Sequence, residues 1–145
     1  IINVASAAGF AAAPSMAAYN VSKAGVMSLS ETLAAELNGT DITVTVLCPT
    51  FVKTNVFQDG RLTPESMSLS QGLARWTGLS ADSVAARTLD AHDAGRLYVV
   101  PQIDATLIWH LKRHFPELYV RGAGLLGRFL PENPSPTELL GEGTR

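Results

Sequence analysis

The chain has 145 residues, and 46% of them are apolar, which is enough for the core of one domain or of part of one. Its formal net charge of −2 at pH 7 gives no basic footprint, so we expect no nucleic-acid partner. It has no run of about 18 uninterrupted apolar residues, which excludes a membrane-spanning helix. The single cysteine, Cys48, excludes an internal disulfide. We expect a buried structural thiol in a cytoplasmic protein, because a lone cysteine suits a reducing compartment.

The chain begins with a predicted strand, helix and second strand. An apolar run predicts a buried strand over residues 1–5, and Pro14 helps to predict a loop over 9–15. A helical pattern follows over about 16–37 and ends at an Asn-Gly pair. The β-branched stretch 41–48 predicts the second strand. This order implies a parallel crossover between the two strands.

A long segment separates these elements from a further helix and a third strand. Residues 55–79 are long and mixed in character, and we expect them to cover the substrate. Ser80 is placed to cap a helix that runs to about His92 and ends at Gly95. A short strand is predicted over 97–100.

The remaining pattern is helical. Apolar residues predict an amphipathic helix over 104–119, which Pro116 bends or ends early. His110 and His114 are one turn apart, but adjacent cations oppose a metal ion, so we expect a solvated face and no metal site. Contact of this basic helix with a membrane surface or an acidic partner is the open alternative. Residues 122–127 spell G-x-G-x-x-G without a preceding strand, which predicts a flexible turn and not a nucleotide loop.

Three polar side chains near the first strand suggest chemistry. Tyr19 and Lys23 are four residues apart in the predicted helix, so they share one face. An ammonium beside a phenol favours the phenolate form, which a tyrosine needs to act as a general acid/base near neutral pH. Ser6 follows the first strand, at the edge of an open α/β sheet where ligands bind.

Ser6, Tyr19 thirteen residues later and Lys23 in Y-N-V-S-K together resemble the catalytic core of the short-chain dehydrogenase/reductase family. The stretch I-I-N-V-A-S-A-A-G over residues 1–9 resembles the serine-bearing strand end of that family. P-T-F-V-K-T over residues 49–54 resembles its P-G-x-V-x-T cofactor loop. A serine hydrolase is disfavoured, because Ser6 lacks the G-x-S-x-G context.

The resemblance implies an α/β fold, the carboxyl-terminal portion of a doubly wound parallel-sheet (Rossmann-like) domain with three parallel strands. Residues 1–101 would be its catalytic half and residues 102–130 a C-terminal helical extension. Residues 131–145, rich in proline, are expected to be a disordered tail. The family's glycine-rich dinucleotide loop and catalytic asparagine lie upstream of its serine and have no counterpart here. Because the chain begins inside a predicted strand, we expect it to be part of a longer enzyme.

The resemblance also implies hydride transfer between NAD or NADP and a secondary alcohol or ketone. Tyr19 would be the general acid/base and would contact the cofactor. Lys23 would support Tyr19 and hydrogen-bond the nicotinamide ribose. Ser6 would hold the substrate oxygen and stabilise charge that develops there.

The loop over residues 49–54 carries the other expected cofactor contacts, Pro49, Thr50, Val52 and Thr54. The family pattern has a glycine after the proline, where this chain has Thr50. Glycine lets a backbone approach a ligand closely. We therefore expect the threonine side chain to keep the loop backbone farther from the cofactor, or to orient the loop differently.

Apolar residues near the expected site suggest a mostly apolar substrate. Ala7, Phe51, Phe57 and Trp76 are the candidate substrate-pocket residues. Ordinary core packing is the alternative explanation for them.

The predicted helix over 16–37 has alanine, glycine and serine on one side, as at Ala24, Gly25 and Ser28. The matching helix of the family packs on its mate, so we expect a homo-dimer or homo-tetramer; close packing on its own sheet explains the pattern equally well. An inactive fragment or interaction module is the alternative function, because the strand over 1–5 would then have an unpaired edge.

Overall fold

The structure is a computed structural model that describes residues 1–14, 16–53 and 78–127. These ranges form five strands and five helices. In chain order they are β1 (Ile2–Val4), α1 (Ala8–Ala11), α2 (Ala17–Glu36), β2 (Thr45–Leu47), β3 (Val52–Lys53), β4 (Leu79–Ser80), α3 (Ala81–Asp93), β5 (Tyr98–Val99), α4 (Ile103–His114) and α5 (Pro116–Gly127).

The main sheet has three parallel strands in the order β1-β2-β5. Val4 of β1 lies opposite Leu47 of β2, and Val46 lies opposite Tyr98 of β5. The predicted α/β fold with three parallel strands is confirmed, and each strand is shorter than its predicted range. A second, two-stranded parallel ladder joins β3 to β4, and the sequence pattern did not predict it.

Helices cover both faces of the central strand β2, whose three residues are all buried. Successive side chains of a strand point to opposite faces. Val46 packs with Met27 of α2 in one cluster, which also contains Ala5 and Cys48. On the other face, a second cluster contains Leu47 together with Val84, Ala91 and Val99. The core is therefore divided by the sheet, with α2 on one side and α3 on the other.

Three local predictions differ from the structure. The strand over 1–5 was expected to be buried, but Val4 is 58% exposed, because β1 pairs only with β2 among the described residues. The loop predicted over 9–15 begins as helix α1, since its alanines favour helix and Pro14 acts only after the last turn. Residues 122–127 lie in α5 and not in a turn, because the alanine and leucines between these glycines favour helix.

Other predicted boundaries are confirmed. Pro116 separates α4 from α5, as expected for a residue that cannot donate the next helical hydrogen bond. Ser80 caps α3 by accepting the Ser83 N–H at 3.2 Å, and Gly95 follows the helix with φ of 69°. No helix among the described residues is long and apolar enough to cross a membrane. Nearly all of the segment 55–79 and the whole of 131–145 lie outside the described residues.

Replacing the cap residue tests this account of α3. Ser80→Ala leaves the Ser83 N–H without its side-chain acceptor, so the free energy of unfolding should fall by about 0.5–2 kcal/mol. Urea unfolding followed by circular dichroism measures the change. Ser28→Ala, at an exposed position within α2, is the matched control and should be neutral or slightly stabilising. Equal stability of the two variants would contradict the capping role.

Candidate active site

Ser6 lies in the short connection between β1 and α1, two residues after the end of β1. It is 9% exposed, and its hydroxyl accepts the Ala8 N–H at 3.2 Å and donates to the Pro49 carbonyl at 3.4 Å. The same carbonyl accepts the Ala7 N–H at 2.8 Å. The serine is therefore fixed between the carboxyl ends of two neighbouring strands, β1 and β2.

The donated bond of Ser6 is weak. At 3.4 Å it is longer than the usual 2.5–3.0 Å or so between hydroxyl donor and oxygen acceptor. A hydroxyl has one proton and rotates freely about its C–O bond. Ser6 can therefore turn its proton towards another oxygen at little cost in free energy.

Tyr19 and Lys23 lie one turn apart on α2, as predicted. The Lys23 ammonium nitrogen is 5.7 Å from the centre of the Tyr19 ring, within cation–π range, and 43% of Tyr19 is exposed. The ammonium also donates to the Val4 carbonyl at 3.3 Å. Lys23 thus ties the turn that carries Tyr19 to the strand end that leads into Ser6.

Gly9 lets α1 approach this turn. A Cβ at position 9 would lie 2.8 Å from the Lys23 carbonyl carbon and 2.8 Å from the Met27 sulfur, both closer than real Cβ contacts. The packing of α1 on α2 at Lys23 therefore requires glycine. The sequence pattern does not predict this role of Gly9, whose one available signal is a glycine within an alanine-rich stretch.

The predicted cofactor loop leaves the carboxyl end of β2 beside Ser6. Pro49 contacts the start of α1 as described, and Val52 continues into β3. The Thr50 N–H donates to the Gln102 side chain at 3.2 Å, and the Thr50 hydroxyl donates to Asp104 at 3.4 Å. Both partners lie at the start of α4, and no sequence motif identified them beforehand.

The substrate-pocket residues are placed unevenly. Ala7 is 4% exposed at the start of α1, and Phe51 is half-buried with its carbonyl oxygen accepting a hydrogen bond from Gln102. Thr54, Phe57 and Trp76 lie outside the described residues. The structure therefore brings Ser6 and Ala7 into contact with Pro49, and Lys23 joins the helical turn that carries Tyr19 to Val4, two residues before Ser6.

Cys48 and the histidine pair do not add reactive groups to this region. Cys48 is fully buried, as predicted; burial and, secondly, the charge of Glu31 raise the pKa of its thiol to about 12. The rings of His110 and His114 are 6.0 Å apart on exposed parts of α4, and His114 Nδ1 contacts the His110 carbonyl. No group of three metal-ligating side chains occurs in the described part of the chain.

A glycine pair tests the contact between α1 and α2. Gly9→Ala should lower the free energy of unfolding by about 1–3 kcal/mol, because the added methyl group meets backbone and sulfur atoms. Gly122→Ala is the control: nothing lies within 4 Å of its Cβ, so it should stabilise α5 by up to about 1 kcal/mol. Urea unfolding measures both changes. If Gly9→Ala proves as stable as Gly122→Ala, the close contact is wrong.

The state of Cys48 can be tested by thiol chemistry. A rise of its pKa from 9.0 to about 12 lowers the thiolate fraction at pH 8. That fraction falls roughly a thousandfold, and thiolate is the reactive form. The folded chain should therefore react very slowly with Ellman's reagent at pH 8, and the same chain should react fully once it is unfolded in guanidinium. Rapid reaction of the folded chain would contradict the buried environment.

Comparisons with known proteins agree with this geometry. The sequence pattern of the short chain dehydrogenase family matches residues 1–65. The chain is 29% identical over 119 residues to 1-deoxy-11-beta-hydroxypentalenate dehydrogenase of Streptomyces exfoliatus, a match that covers 82% of this chain and 40% of that protein. It is 49% identical over 49 residues to inactive 2-(S)-hydroxypropyl-CoM dehydrogenase 2 of Xanthobacter autotrophicus, covering 34% of this chain and 21% of that protein.

A solved structure extends the likeness to the fold. The crystal structure of a short chain dehydrogenase/reductase from Burkholderia phymatum in complex with NAD has a TM-score of 0.67 and 32% identity to this chain. The match covers 81% of this chain and 48% of that one. The chain thus spans less than half the length of the relatives it matches. The matching sequence pattern and this solved fold show that the chain is similar, over part of its length, to the short-chain dehydrogenase/reductase family, and that its three-stranded parallel sheet follows the same fold.

Proposed function

We propose that the chain contributes the catalytic residues of a nicotinamide-dependent oxidoreductase that interconverts a secondary alcohol and its carbonyl form. The observation that supports this most strongly is the position of Lys23. Its ammonium lies 5.7 Å from the centre of the Tyr19 ring and donates to Val4, two residues before Ser6. Lys23 therefore joins the helical turn that carries Tyr19 to the strand end before Ser6, at the carboxyl ends of parallel strands, where α/β sheets bind ligands.

The donors around Lys23 fit a nicotinamide dinucleotide. An ammonium has three N–H donors, and its one hydrogen bond within the described part of the chain, to the Val4 carbonyl, leaves two for ribose hydroxyls. Pro49, Thr50 and Val52 flank Ser6 on the loop after β2, where they would contact the nicotinamide end, and Thr54 belongs to the same proposal. When bound, NAD or NADP would supply or accept the hydride.

The protein's own residues would manage the proton. In the reducing direction the Tyr19 hydroxyl gives its proton to the carbonyl oxygen, and in the oxidising direction the phenolate takes the alcohol proton. Lys23, one helical turn away, supplies a positive charge beside the Tyr19 ring. Ser6, whose donated bond to Pro49 is long, would turn its hydroxyl to the substrate oxygen and fix its position.

The proposed substrate is a small, mostly apolar alcohol or ketone. Phe51 lies in the cofactor loop two residues after Pro49, which contacts Ser6, and Ala7 is buried just before α1. With Phe57 and Trp76, these side chains would give the pocket an apolar wall. We place the enzyme in the cytoplasm.

We also propose that the enzyme is a homo-dimer or homo-tetramer that pairs through α2. Val21 is 72% and Leu29 54% exposed on this helix, and a Cβ at Gly25 would meet nothing within 4 Å. Apolar side chains and a small residue on one exposed helix suit close packing against a second copy.

An inactive interaction module is the second candidate. Its support is strand β1, which has a neighbouring strand on one side only among the described residues, together with a relative that is itself named inactive. Unpaired strand edges are templates for another chain. Turnover that depends on Tyr19 would exclude this candidate.

The decisive variant is Tyr19→Phe, which removes only the phenolic hydroxyl. In the full-length protein kcat should fall by roughly 10²–10⁴-fold, the range of general acid/base catalysis. The dissociation constants of NADH and NADPH should change little, and nicotinamide fluorescence titration measures them. Tyr119→Phe, the same change on α5, should leave turnover intact. Substantial activity in Tyr19→Phe would remove Tyr19 from its proposed role.

A further inference from the structure

The side chain of Gln102 joins the start of α4 to the cofactor loop. It is 4% exposed, its Oε1 accepts the Thr50 N–H at 3.2 Å, and its Nε2 donates to the Phe51 carbonyl at 2.9 Å. Only this orientation of the amide satisfies both backbone groups, since the reverse would place donor against donor and acceptor against acceptor. One side chain therefore satisfies the backbone of two consecutive loop residues.

Because Gln102 bonds the loop, helix α4 has no side-chain cap at its N-terminus. Gln102 is the N-cap residue of the helix, where serine, threonine, aspartate or asparagine would satisfy a free backbone N–H. Its side chain makes no capping bond and is directed to the loop. The position serves the loop at the expense of the helix end.

Thr50 makes a second, longer contact with the same helix. Its hydroxyl donates to Asp104 Oδ1 at 3.4 Å, in the first turn of α4. The threonine side chain, which stands where the family pattern has glycine, is therefore turned towards α4. Gln102 therefore bonds the backbone N–H of Thr50, and Asp104 bonds its side-chain hydroxyl.

Helix α4 is a firm support for these contacts. Lys112 donates to the Phe10 carbonyl at 2.6 Å, and the ring of Trp109 packs edge-on against Phe10 with ring centres 4.8 Å apart. Trp109 also contacts Tyr98 of β5 at 5.0 Å. Helix α4, which bonds the cofactor loop, therefore packs on α1 and on strand β5 of the sheet.

We propose that Gln102 is a positioning residue that sets the backbone of residues 50–51 for the nicotinamide end of the cofactor. This role rests on the proposed function. Gln102 acts through the loop and touches neither substrate nor reacting atoms. Losing it lets the Thr50 N–H and the Phe51 carbonyl relax to other partners, which changes the surface that the cofactor meets.

Gln102→Met tests the role, because methionine has nearly the same length and no amide. In the full-length protein the dissociation constant of the preferred nucleotide, NADH or NADPH, should rise about tenfold or more, as expected for the loss of two hydrogen bonds. Arg87→Met is the matched control. It removes a 2.8 Å side-chain bond to the neighbouring Pro101 carbonyl without touching the loop, so nucleotide affinity should be unchanged.

Gln102→Glu adds a readout that general destabilisation does not share. A protonated glutamic acid can accept from the Thr50 N–H and donate to the Phe51 carbonyl, whereas the carboxylate faces that carbonyl with like partial charge. Nucleotide affinity of this variant should approach the wild-type value at low pH and fall as the pH rises. The nucleotide affinity of the wild-type protein, measured over the same pH range, shows how much of the change comes from Asp104 and other carboxylates.

The outcomes separate the two proposals. A wild-type protein that binds neither NADH nor NADPH overturns the proposed function, and this role with it. A wild-type protein that binds, with Gln102→Met binding equally well or losing no more affinity than Arg87→Met, overturns the role of Gln102 alone. A flat pH profile for Gln102→Glu, parallel to the wild type, does the same. Should Gln102→Met fail to fold, the profile of Gln102→Glu still decides.

Discussion

The parallel ladder between β1 and β2 is the interaction on which the rest of the site depends. It continues past the strands themselves: the Ala5 N–H donates to Leu47 at 2.9 Å, and the Ala7 N–H donates to Pro49 at 2.8 Å. This register places Ser6 beside the first residue of the cofactor loop. A slip by one residue would turn every side chain of β1 to the other face and would separate the two. The position of the serine is therefore a property of strand pairing more than of its own contacts.

Two helices fix this junction from different directions. Helix α2 is tied to the end of β1 by the Lys23–Val4 bond, and Gly9 allows α1 to pack directly on the same turn. Helix α4 grips the loop after β2 through Gln102. The support from α2 is one hydrogen bond between side chain and backbone, and the support from α4 is two such bonds from a single side chain. Contacts of this kind fix the positions of the site residues before a ligand binds. The proposed proton transfer between positioned groups would require this.

The sequence predicts the parts of this structure that depend on local spacing. The four-residue interval between Tyr19 and Lys23, the β-branched strand β2 and the cap at Ser80 are all short-range signals. The grip of Gln102 on Thr50 joins residues 52 positions apart and leaves no periodic trace. The exposure of β1 could not be predicted either, because an apolar run reports a preference for burial and not the presence of a covering partner.

The threonine in the cofactor loop shows how a departure from a family pattern is accommodated. Glycine at this position would need no partner, because it has no side chain to place. Thr50 has one, and its hydroxyl bonds to Asp104 while its N–H bonds to Gln102. A polar side chain that is held by its own partner does not have to crowd the opposite face of the loop. The compensation lies in the first turn of α4, so the residue at position 50 and the two at 102 and 104 form one structural unit.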